Sequence, residues 1–345
     1  MEHGRTEADE PATPAAVSRG QVVYPLLQSL SVVLMRILIG LLLFCWCLVP
    51  SRADAQERVS AEHLLQHVEV LAHDSLQGRD AGTEGAAMAR AYLREQLQGL
   101  DLQTFDGGLE QRFTFPHRRA EEEREGVNLM AYIEGQVVPD TFIVVTAHYD
   151  HLGAQDGDIY NGADDNASGT AALLEAARYF TQHPTDYSLL LLFLDAEEHG
   201  LRGARAFVAD PPVAREQLRL NVNMDMISRN PADELYAVGT HHYPRLRPVL
   251  EAVGARHAID LLFGYDQPDH PEQDDWTMAS DHGAFHEVGI PFVYFGVEDH
   301  PGYHDPSDTF ENITPDFFVQ AAELMLDALQ ELDAQLPTVA PNVTK

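Results

Sequence analysis

Apolar positions along the chain recur first at helical spacing and then as short strand-like runs. Over 60–72, Leu64, Leu65, Val68 and Leu71 lie on one helical stripe behind a serine cap with Glu62 close by, which predicts a helix. A turn rich in Gly and Asp follows at 76–85, and a second helix is expected over 86–97. Short strands are expected at 111–115 and 127–133, with the charged run 118–125 between them as a solvated loop or hairpin tip. From there strands (141–147, 188–194, 218–226, 235–238, 290–295) alternate with helices (168–180, one beginning near Arg202, 243–253, 315–332). This alternation predicts an α/β sheet with helices on both faces. The run Leu189 to Leu194 is almost wholly apolar, as expected for a strand buried on both sides. There is no internal repeat and no Pro- or Ser-rich linker, so one domain over about 58–335 is expected, with 336–345 as a flexible tail.

The start of the chain reads differently. The apolar block 37–50, with Arg36 in front and Ala53-Asp54-Ala55 behind, has the layout of a secretory signal peptide. Residues 1–55 are therefore expected to be a leader, with Met35 as an alternative start. An uncleaved membrane anchor is the competing reading. Both cysteines, Cys45 and Cys47, lie in this segment, so a chain matured at Gln56 has no thiol and excludes disulfides and Cys-ligated zinc. The expected location is secreted or periplasmic, with no stable membrane association after cleavage.

With 345 residues, 45% of them hydrophobic, the chain can bury a substantial core. Its net charge is −33, and its only lysine is Lys345. Nucleic acid is excluded as a partner, because phosphate binding needs a basic footprint. An acidic surface keeps an exported protein soluble; adaptation to high salt is the alternative account of the same composition.

The candidate chemistry begins with Glu197 and Glu198, two acids where the apolar run 189–194 stops. Buried acids at the end of a core strand are costly without a cation or proton to match them. Neighbours in extended chain point to opposite sides, so one could hold a metal while the other handles a proton. Other strand ends bring similar groups. His148 and Asp150 follow the strand 141–147 two residues apart; they read as a metal ligand with its orienting carboxylate, or as a pair capping a turn. Asp164 and Asp165 sit in a Gly-flanked loop before a helix, as an N-cap or as carboxylates reaching a cation. Asp225, set in an apolar strand, needs an arginine or a metal as partner, and His304 lies among turn residues. Together they make a sensible ligand set for two zinc ions about 3.5–4 Å apart, with a carboxylate left over as base. Open α/β sheets bind ligands at such strand ends.

The strings Ala-His-Tyr-Asp-His-Leu-Gly (147–153), Asn-Gly-Ala-Asp-Asp-Asn-Ala-Ser-Gly (161–169), Ala-Glu-Glu-His-Gly-Leu-Arg-Gly (196–203), Asn-Met-Asp-Met (223–226) and Tyr-His-Asp-Pro-Ser-Asp-Thr (303–309) closely resemble the M28 family of zinc-dependent exopeptidases, the bacterial leucyl-type aminopeptidases. Leu-Gln-Gly-Arg-Asp-Ala-Gly (76–82) is also similar to family members. The resemblance covers most of the chain after the leader. It implies a three-layer α/β/α sandwich around a mostly parallel mixed sheet, two zinc ions per chain and a peptide substrate cut at its free N-terminus. Carried over by motif, His148, Asp165 and Asp225 would hold one zinc, and Asp165, Glu198 and His304 the other. Glu197 would be the general base and Asp150 the partner of His148. The choice of Asp165 over Asp164 as the bridge rests on the motif alone. Many relatives have Thr where this chain has Asp305. Ser280-Asp281-His282 resembles a segment near the substrate cleft and is expected to be structural support, while His241, His242 and His270 are expected in loops with no catalytic part. The triplets at Asn166, Asn312 and Asn342 carry no further sign of glycosylation. Carboxypeptidases and dipeptidases share these motifs. A single-zinc glutaminyl cyclase is similar in fold, and some relatives that have lost ligands are non-catalytic interaction domains; here every expected ligand is present.

Overall fold

The computed structural model describes residues 58–116, 123–268, 270 and 273–340, so the proposed leader and residues 118–122 of the charged run lie outside the described residues, while 123–125 begin a strand instead of a loop. In chain order the elements are helices α1 (Ala61–Leu71) and α2 (Glu84–Gln98), strands β1 (Glu110–Pro116), β2 (Glu123–Ile133) and β3 (Val138–His148), and a small hairpin of β4 (Gly153–Gln155) and β5 (Asp158–Tyr160). There follow α3 (Gly169–Gln182), β6 (Tyr187–Leu194), α4 (Arg202–Ala209), β7 (Leu218–Met224), β8 (Glu234–Val238) and α5 (Arg247–Gly254). The chain continues through β9 (Asp260–Phe263), α6 (His282–Glu287), β10 (Phe292–Gly296), α7 (Pro315–Ala334) and α8 (Leu336–Val339).

Among the described residues the main sheet has eight strands in the order β1-β2-β6-β3-β7-β10-β8-β9. Its centre, β6-β3-β7-β10, is parallel, while the β1-β2, β2-β6 and β10-β8 pairs are antiparallel. The apolar run of β6 feeds both faces, because successive side chains point opposite ways. Leu189, Leu191 and Phe193 join the core beneath α1, α2, α3, α5 and α7, whereas Leu190, Leu192 and Leu194 join the one beneath α4 and α6. This is the expected three-layer sandwich. Since the four central strands run the same way, their C-terminal ends share one edge, and the loops leaving that edge carry the candidate site.

Several boundaries move for local reasons. Helix α5 starts at Arg247 rather than 243, because Pro248 lacks an N–H and fits only the first turn. Strand β7 stops at Met224; Met226, at φ 57°, turns the chain out of the sheet. The hairpin β4–β5, β9 and α6 were too short for periodicity to reveal. The segment expected as a flexible tail from 336 is instead packed as far as 340. Leu336, Val339 and Ala340 are buried around α8, a single turn too short to carry a periodic signal.

Candidate metal centre

Loops at the sheet edge bring five of the singled-out side chains together. His148 ends β3, and its Nε2 lies 3.2 Å from Asp225 Oδ1 and 3.5 Å from Asp165 Oδ1. Across Asp165, the other oxygen, Oδ2, is 3.2 Å from His304 Nε2, which is 3.5 Å from Glu198 Oε2. Asp165 therefore presents one oxygen to each histidine. Ligands at about 2.0–2.2 Å from a tetrahedral zinc stand roughly 3.3 Å apart, so both groups have the spacing of a shared ion. Two of the donor atoms also lack other partners: His148 Nε2 and Asp225 Oδ1 are buried and make no hydrogen bond. Buried polar groups are rarely left so, and a shared cation would satisfy both. The residues fit zinc.

Electrostatics supports the same reading. Burial, then repulsion from Glu198, raises the Asp165 carboxyl above its ordinary range. Burial pushes Glu198 up to about 7, against the attraction of His304 and His148. Glu197 is driven well above the usual carboxylate range by burial, with Glu198 and Asp281 adding to it and His148 opposing. Burial works against a charged His148, yet Asp225 and Asp150 more than offset it and raise its pKa. This crowding of acids is the condition that a bound cation relieves.

Glu197 and Glu198 do not lie in extended chain, contrary to the alternation argument. After Leu194 the chain makes a tight turn with Ala196 at φ 59°, and the N–H groups of Gly200 and Leu201 donate to the Glu197 carbonyl. The turn is held by Asp150, which accepts from Glu197 N at 3.0 Å and Glu198 N at 3.3 Å. Asp150 thus orients the two glutamates as much as His148. The Nδ1 of His148 is 3.2 Å from the Asp150 backbone carbonyl oxygen and 3.6 Å from its carboxylate.

The loop before α3 separates its two aspartates. Asp164 turns away, accepting from Ser228 N and Oγ at 2.6 and 2.8 Å and lying 2.9 Å from His300 Nε2. Asp308, in the last motif, accepts from the backbone N–H groups of Asp164 and Asp165 and pins the loop. A Cβ at Gly162, φ 59°, would collide with the Asp165 carbonyl and the His151 ring. Beneath the loop, the fully buried Arg79 donates to the carbonyls of Tyr149, Leu71, Asn161 and Gly162 at 2.5–2.9 Å. Its charge faces the acid cluster from behind; burial lowers its pKa to about 10, so it stays protonated at neutral pH. Arg79→Met should cost at least about 3 kcal/mol, because buried carbonyls each lose roughly 1–3 kcal/mol when orphaned. An unchanged urea midpoint would show that water replaces the guanidinium.

Of the remaining singled-out residues, Ser280 and His282 are buried beside Asn223, whose Nδ2 donates to Ser280 Oγ at 2.9 Å, and His282 Nε2 lies 2.8 Å from the Trp276 carbonyl oxygen. Asp281 is buried, and burial pushes it up to about 8. Asp305 is exposed and accepts from Ser307 N, so its charge is turned from the cluster. His241 and His242 sit in a turn, and His242 Nε2 lies 2.9 Å from Thr277 Oγ1. Asn166 is buried, bonding Met224 O and Gly169 N, which leaves no room for a glycan. Sequence reasoning assigned nothing to Asp308, His300, His151 or the side chain of Arg79. Asp308, His151 and Arg79 lay inside quoted motifs, but the bonds of Asp308 and Arg79 are to backbone groups distant in sequence.

A cleft of about 430 Å³ opens over Asp165, Glu197, Glu198, Asp225 and His304. Fold and site together define an α/β protein with candidate cation sites at the C-terminal edge of its sheet. The model of Peptidase family M28 matches residues 128–329, and the chain belongs to that family, the one expected from the motifs. Aminopeptidase YwaD of Bacillus subtilis (strain 168) is 32% identical over 207 residues, which cover 56% of this chain and 41% of that protein. The chain thus spans less than half the length of this relative. Glutaminyl-peptide cyclotransferase of Boiga irregularis is 26% identical over 280 residues, covering 70% of this chain and 74% of that one. The solved structure of a zinc aminopeptidase from Bacillus subtilis shares the fold at a TM-score of 0.65 and 18% identity, over 83% of this chain and 99% of the other.

Proposed function

We propose that this protein is an exported two-zinc aminopeptidase that hydrolyses the first peptide bond of substrates with a free N-terminus. The observation that carries the reading is Asp165, which offers one carboxylate oxygen to the His148–Asp225 group and the other to the Glu198–His304 group. His148, Asp165 and Asp225 would hold one ion and Asp165, Glu198 and His304 the second. When bound, the zinc ions supply polarisation of the scissile carbonyl and acidification of the attacking water. Glu197 lines the cleft outside either ligand group. It takes the proton from that water and delivers it to the leaving amine. Asp150, bonded to the Glu197 N–H, fixes where that carboxylate stands. Export rests on the apolar block 37–50 and the Ala-Asp-Ala that follows it.

Met226, Trp276, Met278, Tyr294, Val297 and Tyr303 line the cleft around the candidate ligands. Such a wall favours a large apolar N-terminal side chain, where each buried methylene contributes about 0.8 kcal/mol. Chromogenic aminoacyl substrates should be cleaved with kcat/KM at least about tenfold higher for Leu or Phe than for Ala or Glu. N-blocked analogues should not be cleaved. Turnover of blocked peptides, or of C-terminal residues alone, would instead mark a carboxypeptidase or endopeptidase.

A glutaminyl cyclase-like transferase is the second reading, favoured by the similarity to the Boiga irregularis protein. The presence of both His148 and Asp225 beside Asp165 favours the two-ion hydrolase. Pyroglutamate formation from a Gln-peptide, with one zinc per chain, would reverse that choice.

A further inference from the structure

His151 is a buried imidazole that the roles above leave unassigned. Its ring is 0% exposed, and neither Nδ1 nor Nε2 makes a hydrogen bond. Nδ1 lies 2.8 Å from Glu198 Oε1, an oxygen that also lacks a hydrogen bond, and 3.7 Å from Asp165 Oδ2. One atom from each of His151, Asp165 and Glu198 falls within 4.8 Å of the others. Two unsatisfied polar atoms in near contact inside a buried site are what a shared cation would reconcile. His304 meets the same two carboxylates from the other direction, at 3.2 and 3.5 Å, and its side chain is 39% exposed to the cleft. The two imidazole centroids are 6.0 Å apart, so they flank the carboxylate pair without displacing one another. Gly162, which has no Cβ, leaves room for the His151 ring, and the backbone N–H of His151 donates to the Arg79 carbonyl.

We propose that His151, through Nδ1, is a fourth protein ligand of the second cation, on the buried side opposite His304. The inference rests on the two-zinc reading of the site. Its consequence is a second ion held by two imidazoles and two carboxylates, which would leave the open position for the attacking water at the first ion, held by His148, Asp165 and Asp225.

The test measures zinc per chain by plasma mass spectrometry, across zinc buffers, together with visible spectra of the cobalt-substituted protein. Wild type is expected to bind two zinc ions. His151→Ala should keep the first ion and bind the second at least about 10–100-fold more weakly, the loss that removing even an outer partner produces. Its cobalt spectrum should change in the d–d bands of one ion only. His151→Gln fills the same space and can still hydrogen-bond Glu198; it should show the same loss, and it serves as the measure if the alanine variant does not fold. Wild-type zinc affinity and cobalt bands in His151→Gln would mean that His151 only orients Glu198, and would overturn ligation. Two tightly held ions in His151→Ala would do the same while leaving the two-zinc reading standing. A wild-type protein that binds fewer than two ions would sink that reading itself.

Discussion

Glu197→Gln is expected to lower kcat by about 10²–10⁴-fold, the usual worth of a positioned general base, while KM changes little. The substitution keeps shape and hydrogen-bonding groups but removes the ability to accept a proton. The backbone position should hold, since the Glu197 N–H donates to Asp150 and its carbonyl accepts from Gly200 and Leu201, none of which involves the side chain. Zinc content should also hold, because Glu197 belongs to neither ligand group. Burial and the neighbouring Glu198 and Asp281 raise its pKa well above an ordinary carboxylate. The loss should fall on kcat and kcat/KM together, the signature of an interaction made in the transition state. Near-normal turnover in a variant that retains two zinc ions would show that another group takes the proton.

Asp165→Ala should instead remove metal and activity together. Its two oxygens face different histidines, so both sites lose a ligand at once. The remaining acids, Glu198 and Asp225, would then lie buried without the charge that matches them, and zinc affinity should drop by more than the 10–100-fold, roughly, that loss of an outer partner costs. Mass spectrometry should find close to no zinc at concentrations where wild type holds two ions. The informative control is Asp164→Asn. Asp164 bonds Ser228 and lies beside His300, and it points away from the cluster. That variant should lose stability before it loses zinc. Full metal content in Asp165→Ala, or selective zinc loss in Asp164→Asn, would exchange the roles of the two neighbours.

Both aspartates sit in one Gly-flanked loop, and residue type and spacing do not distinguish them; only the motif resemblance chose Asp165. The choice is made by Asp308 and Arg79, which anchor the loop's backbone from segments 143 and 82 residues away, as the bonds to Asp165 N and Asn161 O record. Likewise, Glu197 and Glu198 stand out in the sequence as two costly acids after an apolar strand, but the reason they diverge does not. A turn at Ala196, capped by Asp150, sets their directions rather than strand alternation. His151 could be seen beside Asp150, yet nothing in its neighbours distinguishes a loop histidine from one with both nitrogens buried and unpartnered.

By itself the amino-acid sequence determined the layered α/β sheet, because hydrophobic period and strand–helix alternation are local properties that burial rewards directly. It also determined which residue types could meet a cation, since those types recur where the strand runs end. Tertiary structure alone decided the lining of the cleft, the direction of each carboxylate and the company of each histidine. Those depend on parallel strands lying side by side, and on buried hydrogen bonds between segments that chain order keeps far apart.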